Sequence, residues 1–148
     1  MSAVVSGGDM LVSLIRFVLG FVAAVLVAGA VQVAFVAGAD LMAGASASRL
    51  ESLGLLVLLA ATQSAVFSAP FAILAAVVAR AQAIRSVVYF AAIGVAIALA
   101  GFFAQYVGEA GPETILNRYA LAAYVASGIT AGLAYWYVAV PKRGLHAA

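Results

Sequence analysis

Four long apolar stretches dominate the chain, separated by short segments where polar and charged residues gather. The first runs from about Leu11 to Ala39 and is interrupted only by Ser13, Arg16 and Gln32. The second follows Ser46, Ser48, Arg49 and Glu51 and continues to about Ala79. The third spans Val87 to about Val107, and the fourth about Ile115 to Val140. A membrane-crossing helix needs about 20 mostly apolar residues. The pattern therefore predicts helices over residues 12–39, 50–80, 86–107 and 113–140. The expected fold class is an all-α integral membrane protein. It is a four-transmembrane-helix bundle of two consecutive helical hairpins, with residues 1–148 forming one domain.

Local signals place the helix ends. Met1 to Leu11 is small, polar and glycine-containing, and is expected to be a short tail. Ser48-Arg49-Leu50-Glu51 matches the capping box, in which Ser48 accepts from the Glu51 amide and Glu51 reaches back. That puts the start of the second helix at Ser48. Pro70 has no amide proton, so the Val66 carbonyl loses its helical partner and a kink is expected there. Ser68 lies close enough to satisfy freed backbone groups. An unbroken helix from Leu50 to Val107 would be about 87 Å long, over twice a bilayer, so the chain must turn around Arg80 to Arg85. Ser86 is the expected N-cap of the third helix. Gly108 to Glu113 is a break, and Pro112 and Glu113 suit the first turn of the fourth helix. Tyr135-Trp136-Tyr137 reads as an interfacial aromatic belt, closed by Pro141-Lys142-Arg143-Gly144.

The first stretch has some features of a cleaved leader, with Arg16 ahead of the apolar run and Ala37-Gly38-Ala39 as a small-residue site. A leader's apolar core is about 7–15 residues, and Phe17 to Ala39 is far longer. Helix one is expected to be retained.

Composition strengthens the membrane assignment. The chain is 68% hydrophobic and 8% charged, where soluble domains run near 45–50% and about 25%. Its mean hydropathy is +1.22. The absence of cysteine removes disulfides, thiolate metal sites and cysteine nucleophiles. The single histidine, His146, stands near the end of the chain, which argues against a bis-histidine haem. The net charge of +2 reads as a topology signal, with no nucleic-acid footprint. If the N-terminus is cytoplasmic, Arg16, Arg80, Arg85, Lys142 and Arg143 fall inside, and only Arg49 and Arg118 fall outside. This is a positive-inside bias. The expected location is the cytoplasmic (inner) membrane, multi-pass, with both termini cytoplasmic.

Three groups of residues carry the candidate chemistry. Small residues recur at four-residue spacing: Ala30, Ala34 and Gly38 on helix one, Gly94 and Ala98 on helix three, and Gly128 and Gly132 on helix four. Such faces let helices approach closely. They are read as internal packing first and partner contact second, with Gly94, Gly128 and Gly132 the candidate packing positions. A polar set comprises Gln32, Gln63, Ser64 and Ser68 with Ser127 and Thr130: Gln32, Gln63 and Ser64 fall at similar depth in the outer half of the membrane, and Ser127 and Thr130 within reach of that zone or slightly deeper. It is read first as interhelical hydrogen bonding and second as the wall of a small solute site. Arg80, Arg85, Lys142 and Arg143 form a basic inner rim that sets topology or meets anionic lipid headgroups.

No Asp, Glu, Lys, Arg or His lies well inside any stretch, whereas proton-coupled transporters usually carry such a relay. The small four-helix multidrug exporters need a glutamate in their first helix, where this chain offers only Gln32. There is no aspartate pair, Ser-His pair or zinc set for intramembrane proteolysis. The chain resembles small bacterial four-helix membrane proteins in size, alanine-rich helices and its Tyr-Trp-Tyr…Lys-Arg ending. That resemblance carries over no functional residue. The expected function is a structural or accessory subunit, or a homo-oligomer, acting by helix–helix packing. No cofactor, metal or self-contained catalysis is expected. The expected partners are the lipid bilayer, copies of itself or a larger membrane complex, with no nucleic acid. The alternative is a small transporter or channel subunit with an uncharged polar path near Gln32, Gln63, Ser64, Ser68 and Pro70.

Overall fold

A computed structural model describes residues 7–42, 44, 46–107 and 118–141, excepting the side chains of 39–42, 47 and 106. These residues form four α-helices: α1 (Gly7–Met42), α2 (Ala47–Ala81), α3 (Val87–Val107) and α4 (Arg118–Ala139). All four are long and apolar enough to cross a membrane. The expected break at Gly108 to Glu113, with Pro112 and Glu113, lies outside the described residues, as do His146, Lys142 and Arg143.

Two predicted boundaries shift. Residues 7–11, expected as tail, are the first turns of α1. Gly7 and Gly8 weaken a helix but do not stop one, and Asp9 in the first turn meets the positive end of the helix dipole. The second helix starts before Ser48. Ser46 is its N-cap, and the Ser46 carbonyl accepts from Arg49 N at 3.0 Å and Leu50 N at 3.1 Å. The Ser46 side chain makes no capping bond, and its Oγ lies 3.2 Å from Ser48 Oγ. The two hydroxyls pair with each other, and the sequence pattern alone could not rank them.

The helices pack by bringing small residues together. Methyl groups on Gly20, Gly29, Gly128 and Gly132 would all run into a neighbouring helix. The buried apolar positions among the described residues are mostly small, with Ala28, Ala61, Ala79 and Ala123 joined by two phenylalanines, Phe90 and Phe102. Large apolar side chains point outward instead, as Leu55, Leu59, Val66, Ile73 and Val77 do along α2. This suits a lipid surround, where helices gain nothing by hiding leucine and associate through close backbone approach.

The order around the ring is α2, α1, α4, α3. α4 packs along both α1 and α3, and α1 packs along α2. α2 and α3 are consecutive in the chain yet barely meet. Their joining turn is well fixed. Ile84 N donates to Ala79 O at 2.7 Å and Ala83 N to Arg80 O at 3.1 Å, the paired bonds of a Schellman C-cap. The residue in the left-handed position is Ala83, at φ 51°. Trp136 Nε1 donates to the Arg85 carbonyl at 2.9 Å and ties this turn to α4. Of the expected aromatic belt, Tyr135 faces inward, since consecutive residues on a helix point about 100° apart.

Candidate functional site

Because α2 and α3 part, the ring of helices encloses a cleft of about 480 Å³ walled by all four. The wall on α2 repeats at helical spacing through Ala60, Ser64, Ser68, Ala72 and Ala75. This is a small and polar face opposite the outward leucines. α1 contributes Gln32 and Ala28, α3 contributes Gly94 and Gln105, and α4 contributes Tyr124 and Ser127.

Five of the six candidate polar residues lie on this one surface: Gln32, Gln63, Ser64, Ser68 and Ser127. Thr130 does not. Its hydroxyl donates back into α4, to Ala126 O at 2.8 Å and Ser127 O at 3.1 Å. A threonine on a helix readily makes this local bond, which withdraws it from any wider network. Ser127 is covered almost completely, at 1% exposure, and donates to Tyr124 O at 2.8 Å. Tyr124 in turn donates its hydroxyl proton to Gln105 Oε1, joining α4 to α3.

Ser68 overturns a different expectation. Its hydroxyl was expected to relieve the backbone near Pro70. Instead it is buried and has no hydrogen-bond partner among the described residues. Pro70 itself is exposed, and α2 continues through it to Ala81. No charged side chain lines the cleft among the described residues. Nor do three or more His, Asp or Glu side chains gather among them where an ion could be held.

The packing candidates Gly94, Gly128 and Gly132 form part of the cleft wall where α3 meets α4. Gly94 and Gly128 meet backbone to backbone, and a methyl on Gly128 would lie 2.6 Å from Gly94 O and 2.8 Å from Val95 Cα. A methyl on Gly132 would lie 2.8 Å from Ala91 Cα. The expected internal packing of Ala30, Ala34 and Gly38 does not occur in the described residues. Ala30 and Ala34 are exposed, and nothing lies within 4 Å of a methyl on Gly38. α1 uses Gly20 and Gly29 instead, placed against Ala139 on α4 and Val57 and Ala61 on α2. Their signal in sequence is only that they are glycines inside an apolar run.

The cleft ends on aromatic rings. Phe90 of α3 and Tyr135 of α4 have ring centroids 5.4 Å apart, and Phe17 of α1 meets Tyr135 edge-on at 6.1 Å. Beyond Phe90 and Tyr135 lies a second cavity of about 450 Å³, near the α2–α3 turn. The two cavities share Ala76, Phe90 and Tyr135 as a common wall. Arg80 and Arg85 of the predicted basic rim line this second cavity, together with Arg16.

Comparison of the chain with protein-family models, with curated proteins and with solved structures returns no match.

Proposed function

We propose that the protein is a small transporter or channel subunit of the cytoplasmic membrane that admits an uncharged, hydrogen-bonding solute to the cleft between α2 and α3. Its helices form two consecutive hairpins, with both termini in the cytoplasm as the distribution of arginine and lysine supports. The observation that carries the reading is the convergence of Gln32, Gln63, Ser64, Ser68 and Ser127 on one cleft of about 480 Å³. A pocket of that size, mostly apolar with a few convergent polar groups, is the usual form of a small-molecule site. The buried Ser68 hydroxyl adds to it, because an unpaired buried hydroxyl costs about 1–3 kcal/mol that a bound solute would recover. The protein works by binding and passage, with no catalytic step of its own.

The test is solute flux into proteoliposomes, measured with a panel of uncharged polyols and amides. The wild-type chain passes at least one of them faster than empty vesicles do. Gln63→Leu removes that flux and leaves thermal stability within about 0.6 kcal/mol, the average worth of one interhelical hydrogen bond in a membrane. No flux above empty vesicles across the panel would sink the reading.

A second reading, an accessory subunit or homo-oligomer acting by helix packing, is favoured by the outward small face of α1 at Ala30, Ala34 and Gly38. Native mass spectrometry of gently extracted protein tests it. A defined partner or a stable oligomer supports this reading, and a bare monomer overturns it.

A further inference from the structure

The second cavity differs from the cleft in its charge. Three arginines line it from three parts of the chain: Arg16 from α1, Arg80 from the last turn of α2, and Arg85 from the turn before α3. Among the described residues the only acidic one on its wall is Asp9. Apart from Ser13 and Tyr135 the rest is apolar, with Ala76, Ala79 and Ile84 beside Phe90. Three like charges gathered beside a low-dielectric wall repel one another and focus a positive potential into the space between them.

The fold fixes the backbone from which these side chains start. Asp9, Ser13 and Arg16 stand at helical spacing on one face of α1. The Schellman bonds end α2 just after Arg80, and Trp136 fixes the Arg85 carbonyl. The guanidinium is a planar fork of donors that matches phosphate oxygens two at a time.

We infer that Arg16, Arg80 and Arg85 form a binding site for a phosphate-type anion, separate from the neutral cleft above it and independent of the solute reading. The anion is either the headgroup of an anionic phospholipid or free inorganic phosphate. The partition of Phe90 and Tyr135 keeps its charge out of the cleft.

The full-length chain is reconstituted in nanodiscs of phosphatidylcholine with phosphatidylglycerol, and lipid retained after detergent release is read by native mass spectrometry. Binding of inorganic phosphate alone is read by calorimetry. Each of Arg16→Gln, Arg80→Gln and Arg85→Gln weakens anion binding about fivefold, from the roughly 1 kcal/mol that one basic residue contributes near an anionic surface. Arg80→Lys keeps the charge but loses the planar fork and so restores only part of what Arg80→Gln loses, and circular dichroism confirms that every variant stays helical. Arg49→Gln and Arg118→Gln, at the opposite ends of α2 and α4, change nothing. Retention of phosphatidylglycerol that phosphate does not displace identifies a lipid headgroup. Phosphate binding with the same arginine dependence identifies the free anion. Equal losses from all five Gln variants, or no loss from any, would show only diffuse surface charge and overturn the site.

Discussion

A methyl group on Gly128 would lie 2.6 Å from the Gly94 carbonyl oxygen, and one on Gly38 would meet nothing. The same residue type therefore has opposite weight at the two positions. Gly128→Ala should cost about 1–3 kcal/mol, as overpacking does where backbone cannot move aside. Gly38→Ala should be neutral or slightly stabilising, since alanine favours helix over glycine by up to about 1 kcal/mol. Thermal unfolding in detergent distinguishes them. Ala83 offers the converse case. It holds φ 51° in a C-cap position that glycine normally fills. Ala83→Gly should therefore raise stability by about 1 kcal/mol, seen as a higher midpoint in the same assay. Neither distinction is legible along the chain. Gly20 and Gly29 look like Gly38 and Gly54 in sequence, and only the neighbouring helix separates them. The Ser46–Ser48 hydroxyl pair is similar, because a capping pattern names a residue type and not which of two serines adopts the extended backbone.

The four helices themselves are legible, because each apolar stretch exceeds what a soluble core would need. Their ends are less so. The first turns of α1 carry two glycines, whose low helix propensity outweighs nothing once the following apolar turns commit the segment. α4 shows how an element acquires a role its sequence hides. It is flanked on both sides by other helices, and its Trp136 is bonded to the α2–α3 turn at Arg85. That single bond couples three elements. Trp136→Phe should cost about 0.6 kcal/mol in overall stability. It should also speed amide hydrogen exchange at Ile84, next to the freed carbonyl, while leaving exchange near Gly94 unchanged.

For the whole molecule, sequence supplies the polar residues but not their arrangement. Gln32 and Gln63 can be set at one depth by counting along opposed helices, yet nothing in the chain says that α2 stands apart from α3. Thr130 is the instructive failure. Its sequence position puts it within reach of that depth, but its own helix satisfies it. Among the described residues the opening is bridged where Tyr89 donates to the Ala75 carbonyl at 3.2 Å, and where the Phe67 ring comes within 3.4 Å of a methyl position on Gly101. The chain contains no cysteine, so a Phe67→Cys, Gly101→Cys pair can be joined by a short dithiol-reactive linker without side reactions. Cross-linking should abolish solute flux in the proteoliposomes, and each single cysteine variant treated in the same way should keep it.

The position of α4 in the ring also dictates a schedule. Ribosomes release helices in chain order, and α4 follows the other three. Until it enters the bilayer, α1 and α2 can pair, but α3 has almost nothing to hold it. A nascent chain at that stage presents a finished hairpin beside a loosely held helix, with Gly94 of α3 bare to lipid. Insertion machinery and membrane proteases would encounter this half-built species on every round of synthesis. The time spent in it is set by how soon α4 arrives, so slow codons in that segment would lower yield without changing a single residue of the finished protein.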